Sequence, residues 1–275
     1  MKNLKIPLQN VDEKTIYLEC ASDFRDKTAL NYIDKVTLSA ERYKECVPRD
    51  IAYLPVFPIK EGDNEKIIKV YSEKFAKNGS IGKKYYEAIM ANAEGRCPIC
   101  GSGKLKNLDH FLPKSKYPLL CVTPANLIPV CRDCNFDKKD EFNTDYYSIP
   151  FNPYFDIMED TWLECDISFF ADRTYEISFI NGFERAKDES MWHKYEKHLK
   201  VYDLNATFCA RAEEAIENSR GYNRKLLLEN GSEDVIKSLV ELKIEFEKVD
   251  KNSWRSALYR ELLRKATNYC NWLNS

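Results

Sequence analysis

Only 9 of the 275 residues are glycine and 11 are proline, which excludes a collagen-like repeat or a disordered low-complexity chain, and no internal repeat is present. Net charge is nearly absent as well. Forty-two Lys and Arg stand against 44 Asp and Glu, a formal −2, so the chain as a whole offers no field to a polyanion and any nucleic-acid site must be local. No apolar run approaches the roughly 18 residues of a membrane span. The opening MKNLKIPLQNVDEKT lacks the apolar stretch of about 7 to 15 residues that a secretory signal needs, so a cytoplasmic location and no membrane partner are expected. Histidine is scarce, at three residues.

What remains is ordinary for a folded protein: 44% hydrophobic and 31% charged residues. At roughly 150 residues per domain the length suits one large domain or two modest ones. The 10 cysteines are the anomaly, because cytosolic thiols stay reduced and a disulfide framework is not expected. Four of them form two pairs, Cys97-Pro-Ile-Cys100 and Cys131-Arg-Asp-Cys134. That spacing lets both sulfurs of each pair reach one tetrahedral ion, for which zinc is the natural candidate. Four thiolates leave no open coordination position, so such a zinc would be structural. The competing reading is a redox dithiol or two chance pairs. Cys20, Cys46, Cys121, Cys165, Cys209 and Cys270 lack paired spacing and read as small buried hydrophobes.

The expected fold is α+β and mainly helical, in three parts: a helical region 1–95, a metal-held module 96–143, and a region 144–275 with a β-hairpin followed by helices. Helical spacing links Tyr32, Val36, Leu38 and Tyr43, and again Ile67, Ile68, Tyr71 and Phe75, with the proline-containing AYLPVFPIKEG between them. Lys83 to Glu94 reads as one more amphipathic helix leading into the first cysteine pair. Residues 96–143 have little periodicity and too small an apolar content to hold themselves without metal. Beyond them, TWLECDISFF and TYEISFI read as a hairpin turning at Ala171-Asp172-Arg173. Helices are expected over 206–219, 232–249 and 253–273, with Ser232 and Ser253 placed for N-caps.

Thirty residues separate Cys100 from Cys131, longer than the 15 to 20 of a plain zinc ribbon, so something is inserted between the pairs. Within the insert, Asp109-His110 sets a hard oxygen ligand beside the side chain best suited to act as a base near neutral pH. From Arg96 to Lys139 eight residues are basic and three acidic, whereas from Tyr154 to Glu189 three are basic and ten acidic. The phosphate-facing surface is therefore expected on the module and not on the hairpin.

Taken in order, Cys-x-x-Cys, Leu108-Asp109-His110, Pro113-Lys114-Ser115, Asn126-Leu127-Ile128-Pro129, Cys131-x-x-Cys134 and Asn135-x-x-Lys138 resemble the HNH endonucleases of the four-cysteine ββα-metal type. The likeness spans about 45 residues, Arg96 to Asp140. It implies a small zinc-stabilised ββα-metal module that hydrolyses nucleic-acid phosphodiester bonds, DNA first among them, with Mg²⁺ or Mn²⁺. In that pattern His110 is the catalytic base, Asn126 the second motif residue that orients it, and Asn135 the third, standing where the pattern has His. The resemblance places Asp109 on a strand and Asn135 at the start of the next helix, converging on the catalytic ion. Lys138 is then a phosphate contact, with Lys114 and Lys139 in a basic, nucleic-acid-binding rim. The stretches LDHFLPKSKYP and NLIPVCRDCN also look like bacterial HNH proteins of anti-phage defence, including the nuclease partner of an ATPase in Septu-type and retron-linked systems.

Bland readings compete at each point. His193 and His198 lie five apart, poor spacing for one helical face, and read as ordinary residues. Trp254, Leu258, Leu262, Ala266 and Tyr269 form a core stripe rather than a docking face. The functional alternative is a non-catalytic zinc module that binds nucleic acid or protein, or an interaction subunit with a remnant site. Such a module has no need of Asp109, His110, Asn126 and Asn135 together.

Overall fold

The computed structural model describes residues 3–140 and 142–275; the first two residues, part of the opening segment considered above, and residue 141 lie outside them. The chain divides into two compact units, one running through Ile157 and the other Met158–Ser275.

The first unit begins with α1 (Glu13–Ser22), whose N-cap Asp12 accepts from the Lys14 amide at 3.1 Å. α2 (Ile33–Cys46) and α3 (Asp63–Lys69) follow, and α3 widens into a π-helical segment, Val70–Phe75. The proline-rich stretch 54–60 has no regular structure. It is pinned where Lys35 Nζ donates to Pro58 O (2.6 Å) and the Lys60 amide donates to the Tyr32 hydroxyl (3.1 Å). α4 (Lys83–Ala91) then delivers the chain to the first cysteine pair.

β1 (Leu105–His110) and β2 (Leu127–Cys131) pair antiparallel, with Asp109 opposite Ile128 and His110 opposite Leu127, and α5 (Arg132–Lys138) follows without a loop. One apolar cluster joins Ile16, Tyr17, Val36, Ile67, Phe75 and Ile89 of the helices to Leu108, Leu119, Cys121 and Leu127 of the module. A two-stranded hairpin cannot bury enough surface alone. Here the N-terminal helices supply the missing side of its core.

The second unit opens with β3 (Leu163–Phe169) and β4 (Tyr175–Asn181), in antiparallel register from Leu163 opposite Asn181 to Phe169 opposite Tyr175. Leu163, Cys165 and Ile167 point inward, which is the period-two burial that a half-covered hairpin requires. α6 (Glu189–Val201), α7 (Leu204–Asn230), α8 (Ser232–Val249), α9 (Trp254–Arg264) and α10 (Ala266–Asn274) complete it.

Three details differ from the sequence expectation. α7 runs 27 residues, well past 219. The expected 253–273 helix breaks at Lys265 (φ −105°, ψ 30°) into α9 and α10, where Lys265 reaches aside to Asp166 Oδ1 (2.8 Å) and Ile167 O (2.6 Å). Ser253 caps α9 by accepting from the Ser256 amide at 3.1 Å, but Ser232 lies inside α8, whose N-cap is Gly231. The stripe from Trp254 to Tyr269 is buried, while Arg260 and Arg264 are held in ion pairs with Glu247 and Glu261. No described helix is long and apolar enough to cross a membrane. Among the described residues the protein is mainly helical, with two small antiparallel hairpins and one four-cysteine cluster.

Candidate functional site

The sulfurs of Cys97, Cys100, Cys131 and Cys134 all lie within 4.8 Å of one another, and all four residues are buried. A tetrahedral ion with arms of about 2.3 Å needs sulfurs about 3.8 Å apart; Cys100 and Cys131 sulfurs are 3.9 Å apart. The donor set and spacing therefore fit zinc. Backbone geometry holds the first pair in a knuckle: Cys97 N donates to Gly103 O (2.9 Å), Gly101 N to Cys97 O (2.9 Å), and Gly103 N to Cys100 Sγ (3.3 Å). Gly101 sits at φ +72°. At Gly103 a Cβ would lie 2.6 Å from Cys131 Cβ and 2.7 Å from its sulfur, so only glycine lets the chain pass the cluster on its way into β1. Among the other cysteines Cys20, Cys121, Cys165 and Cys270 are buried, and Cys46 and Cys209 are half-buried.

β2 runs from Leu127 into the second cysteine pair, so the cluster fixes the start of α5 and thereby what α5 presents to β1. His110, at the end of β1, is 6% exposed. Its Nε2 lies 2.8 Å from Cys121 O, and a carbonyl can only accept, so Nε2 carries the proton and Nδ1 is the basic nitrogen. Burial holds the imidazole neutral, pushing its pKa down to about 3, with the Lys114 and Lys138 charges adding to the effect and the Cys121 bond opposing it. Tyr71 packs edge-on against the imidazole, 4.5 Å between ring centroids, and its hydroxyl donates to Leu108 O at 3.2 Å. Tyr71 belongs to the π-helical segment. Its part in the site had no signal in the sequence beyond a helical apolar position.

Asn126 is fully buried. Its Oδ1 accepts from the Leu112 amide (2.8 Å), and its Nδ2 donates to Leu112 O (3.1 Å) and Leu120 O (3.4 Å). These bonds tie the two ends of the 111–126 loop together. The carbonyl that holds His110 belongs to Cys121, next in the chain to Leu120, so the Asn126 clamp sets the position of the histidine's partner.

Asp109 keeps 13% side-chain exposure, and Lys138, 2% exposed, points at it: Lys138 Nζ lies 2.8 Å from Asp109 Oδ2 and donates to His110 O at 2.7 Å. Lys138, read from the sequence as a phosphate contact, is thus directed into the protein against the β1 strand. Burial raises the Asp109 pKa, and the Lys138 ammonium partly offsets that rise. Asn135 is half-buried, three residues before Lys138 on the same face of α5. Its side chain makes no hydrogen bond among the described residues. Lys114 is half-buried, with its ammonium 5.9 Å from the Tyr71 ring centroid, and Lys139 is exposed at the end of α5, 6.0 Å from the exposed Phe136 ring. His193 is exposed and His198 buried, both on α6 of the second unit.

The chain is 32% identical over 144 residues to protein ea31 of Escherichia phage lambda, covering 50% of this chain and 46% of that protein. It is 35% identical over 75 residues to the Septu protein PtuB of Bacillus thuringiensis, covering 24% of this chain and 29% of that protein. The chain thus spans less than half the length of either relative. No protein-family model matches it, and no solved structure matches it. The similarity to a Septu protein and the four-cysteine cluster are compatible with an HNH-like defence protein.

Proposed function

We propose that the chain is a metal-dependent endonuclease of the HNH kind, which hydrolyses phosphodiester bonds of nucleic acid, DNA first, and acts in the cytoplasm in anti-phage defence. The observation that carries this reading is the 2.8 Å bond from His110 Nε2 to Cys121 O. It fixes one tautomer and leaves Nδ1 neutral and able to accept a proton, although burial in this closed state weakens it as a base. The basic balance of residues 96–139 supports a polyanionic substrate. Similarity to PtuB supports the defence role and a partner from the same defence system; the partner in this reading is a regulatory ATPase or another defence subunit.

Asp109 and Asn135 offer the hard oxygen donors that Mg²⁺ or Mn²⁺ prefers. Bound there, such an ion would supply charge stabilisation to the scissile phosphate. Lys138 pairs with Asp109, offsetting part of the burial penalty on its carboxylate, and holds the β1 strand end in place. Asn126 positions the Cys121 carbonyl, and through it His110. Lys114 and Lys139 contribute positive charge at the rim. In this reading the functional segments are a nuclease module over 96–143 between a helical region 1–95 and a region 144–275.

The second reading, a zinc-held binding module, is favoured by one observation: Lys138 already satisfies one Asp109 oxygen, so the carboxylate needs no ion. Cleavage of supercoiled plasmid and single-stranded DNA with Mg²⁺ or Mn²⁺, beside His110→Ala of equal zinc content, separates the two. A nuclease cuts and the variant does not. A binding module shifts DNA in a gel and cuts nothing, even with its defence partner added.

A further inference from the structure

Among the described residues β1 pairs with β2 alone, so its other edge carries backbone groups that the sheet does not satisfy. The Phe111 amide donates to Asn126 O (2.9 Å). With His110 opposite Leu127 and Leu108 opposite Pro129, the antiparallel alternation then turns the His110 and Leu108 carbonyls toward the open edge. Pro129 has no N–H to offer Leu108 in any case. Two side chains cover these carbonyls: the Tyr71 hydroxyl donates to Leu108 O (3.2 Å) and Lys138 Nζ to His110 O (2.7 Å). The end of β1 that carries Asp109 and His110 is therefore anchored on both sides of Asp109.

Tyr71 makes a second contact with the same strand. Its ring stands edge-on to the His110 imidazole, with centroids 4.5 Å apart and planes at 68°, and is backed by Phe75, stacked at 5.7 Å and 24°. Phe75 is fully buried, so the Tyr71 ring has no room to retreat. The backbone reason is the π-helical turn, in which Ala76 N reaches back five residues to Tyr71 O (2.8 Å). Such widened turns are rare and concentrate at functional sites. On its other contact the imidazole gives Nε2–H to Cys121 O (2.8 Å). The ring is thus bounded by one polar and one aromatic neighbour from different parts of the chain.

We propose that Tyr71 is a positioning residue for His110, an inference that rests on the nuclease reading. Its ring keeps the imidazole turned with Nε2 on Cys121 O and Nδ1 as the proton acceptor, and its hydroxyl holds the strand that carries the histidine. Without that wall the imidazole turns about its Cβ–Cγ bond, loses the Cys121 carbonyl and shares its proton between both nitrogens. Asn126 secures the same bond from the acceptor side, through the loop that carries Cys121; Tyr71 secures it from the donor side. A tyrosine that only filled the apolar cluster would be replaceable by a side chain of similar bulk with no effect on the tautomer.

The test is ¹⁵N NMR of the zinc-loaded full chain labelled at histidine, at pH 7, beside kcat and KM for DNA cleavage. Only three imidazoles are present; His193 and His198, both on α6, serve as internal references, and His110→Asn assigns the third. Wild type should show one Nε2–H tautomer at His110 and a cross-peak between the His110 and Tyr71 ring protons. Tyr71→Phe keeps the ring and should keep the tautomer, kcat and KM. Tyr71→Leu keeps apolar bulk without the flat ring; its His110 nitrogens should average between tautomers, and kcat should fall about a hundredfold, the cost of a misplacement of roughly 1 Å, at unchanged KM and zinc content. An unmoved tautomer or an unmoved kcat in Tyr71→Leu overturns the proposal. So does wild type that averages between tautomers or lacks the cross-peak, which decides the matter even where Tyr71→Leu does not fold. A wild-type chain that cuts nothing with its partner present fails the nuclease reading instead, and the tautomer alone then decides the role of Tyr71.

Discussion

The Lys138 ammonium lies 2.8 Å from the Asp109 carboxylate although Lys138 is only 2% exposed. Coulomb attraction and desolvation oppose each other in this pair. At the Asp109 carboxyl desolvation is the larger, since the pKa is raised despite the adjacent cation. Removing the lysine would leave a carboxylate with little water and no counter-charge. Lys138→Met should therefore destabilise the protein by about 3 to 5 kcal/mol, the usual cost of breaking a buried pair from one side. Urea unfolding at pH 7 measures it. A loss below about 1 kcal/mol would mean that Asp109 is solvated in spite of its surroundings.

Asn126 answers three backbone groups with one side chain. Asn126→Ala strips partners from the buried Leu112 amide and from two carbonyls, at about 2 to 4 kcal/mol. Zinc content should stay at the wild-type level, since no cysteine is touched, while any His110-dependent activity falls sharply. Thermal melting alongside zinc analysis checks both halves of this expectation.

Gly103 is the sharpest probe of the cysteine cluster. The Cβ added by Gly103→Ala meets Cys131 at 2.6 to 2.7 Å, so the second knuckle must shift. The expected result is one zinc per wild-type chain and markedly weaker zinc retention in the variant, read by competition with a chromogenic chelator. Removing the zinc itself should unfold the 96–140 segment, because structural zinc sites contribute on the order of 10 kcal/mol or more to folding.

His110 also links stability to pH. Its pKa is about 3 in the folded protein against an ordinary 6.5, so between those values the unfolded chain binds a proton that the native protein does not. Stability from this group falls as pH drops below about 6.5, by about 2 kcal/mol between pH 7 and pH 5. Wild type should lose more stability over that window than His110→Asn, which cannot titrate. Parallel slopes in chemical denaturation would show that the imidazole is solvated.

Local chemistry was legible in the sequence, and side-chain direction was not. The two CxxC pairs announced a shared ion, and the sulfurs do gather within 4.8 Å. The alternation in TWLECDISFF and TYEISFI announced the second hairpin, and its strands pair in register. Lys138 read as a phosphate contact because spacing gives its place on α5 but not whether that face turns toward solvent or β1. Tyr71 joined His110 through a π-helical widening that no residue type signals. The break at Lys265 follows from that lysine's contacts with β3, not from a glycine or proline. A cavity beside the 111–126 loop joins residues 39, 54–59, 64 and 115–120, a conjunction that exists only after folding.

The most direct test of the account is plasmid cleavage by zinc-loaded wild type and His110→Ala in Mg²⁺ or Mn²⁺, with and without the cognate defence partner. The account predicts nicking or linearisation by wild type and none by a folded, zinc-replete variant. Equal cutting by both, or no cutting by either even with the partner present, would contradict it.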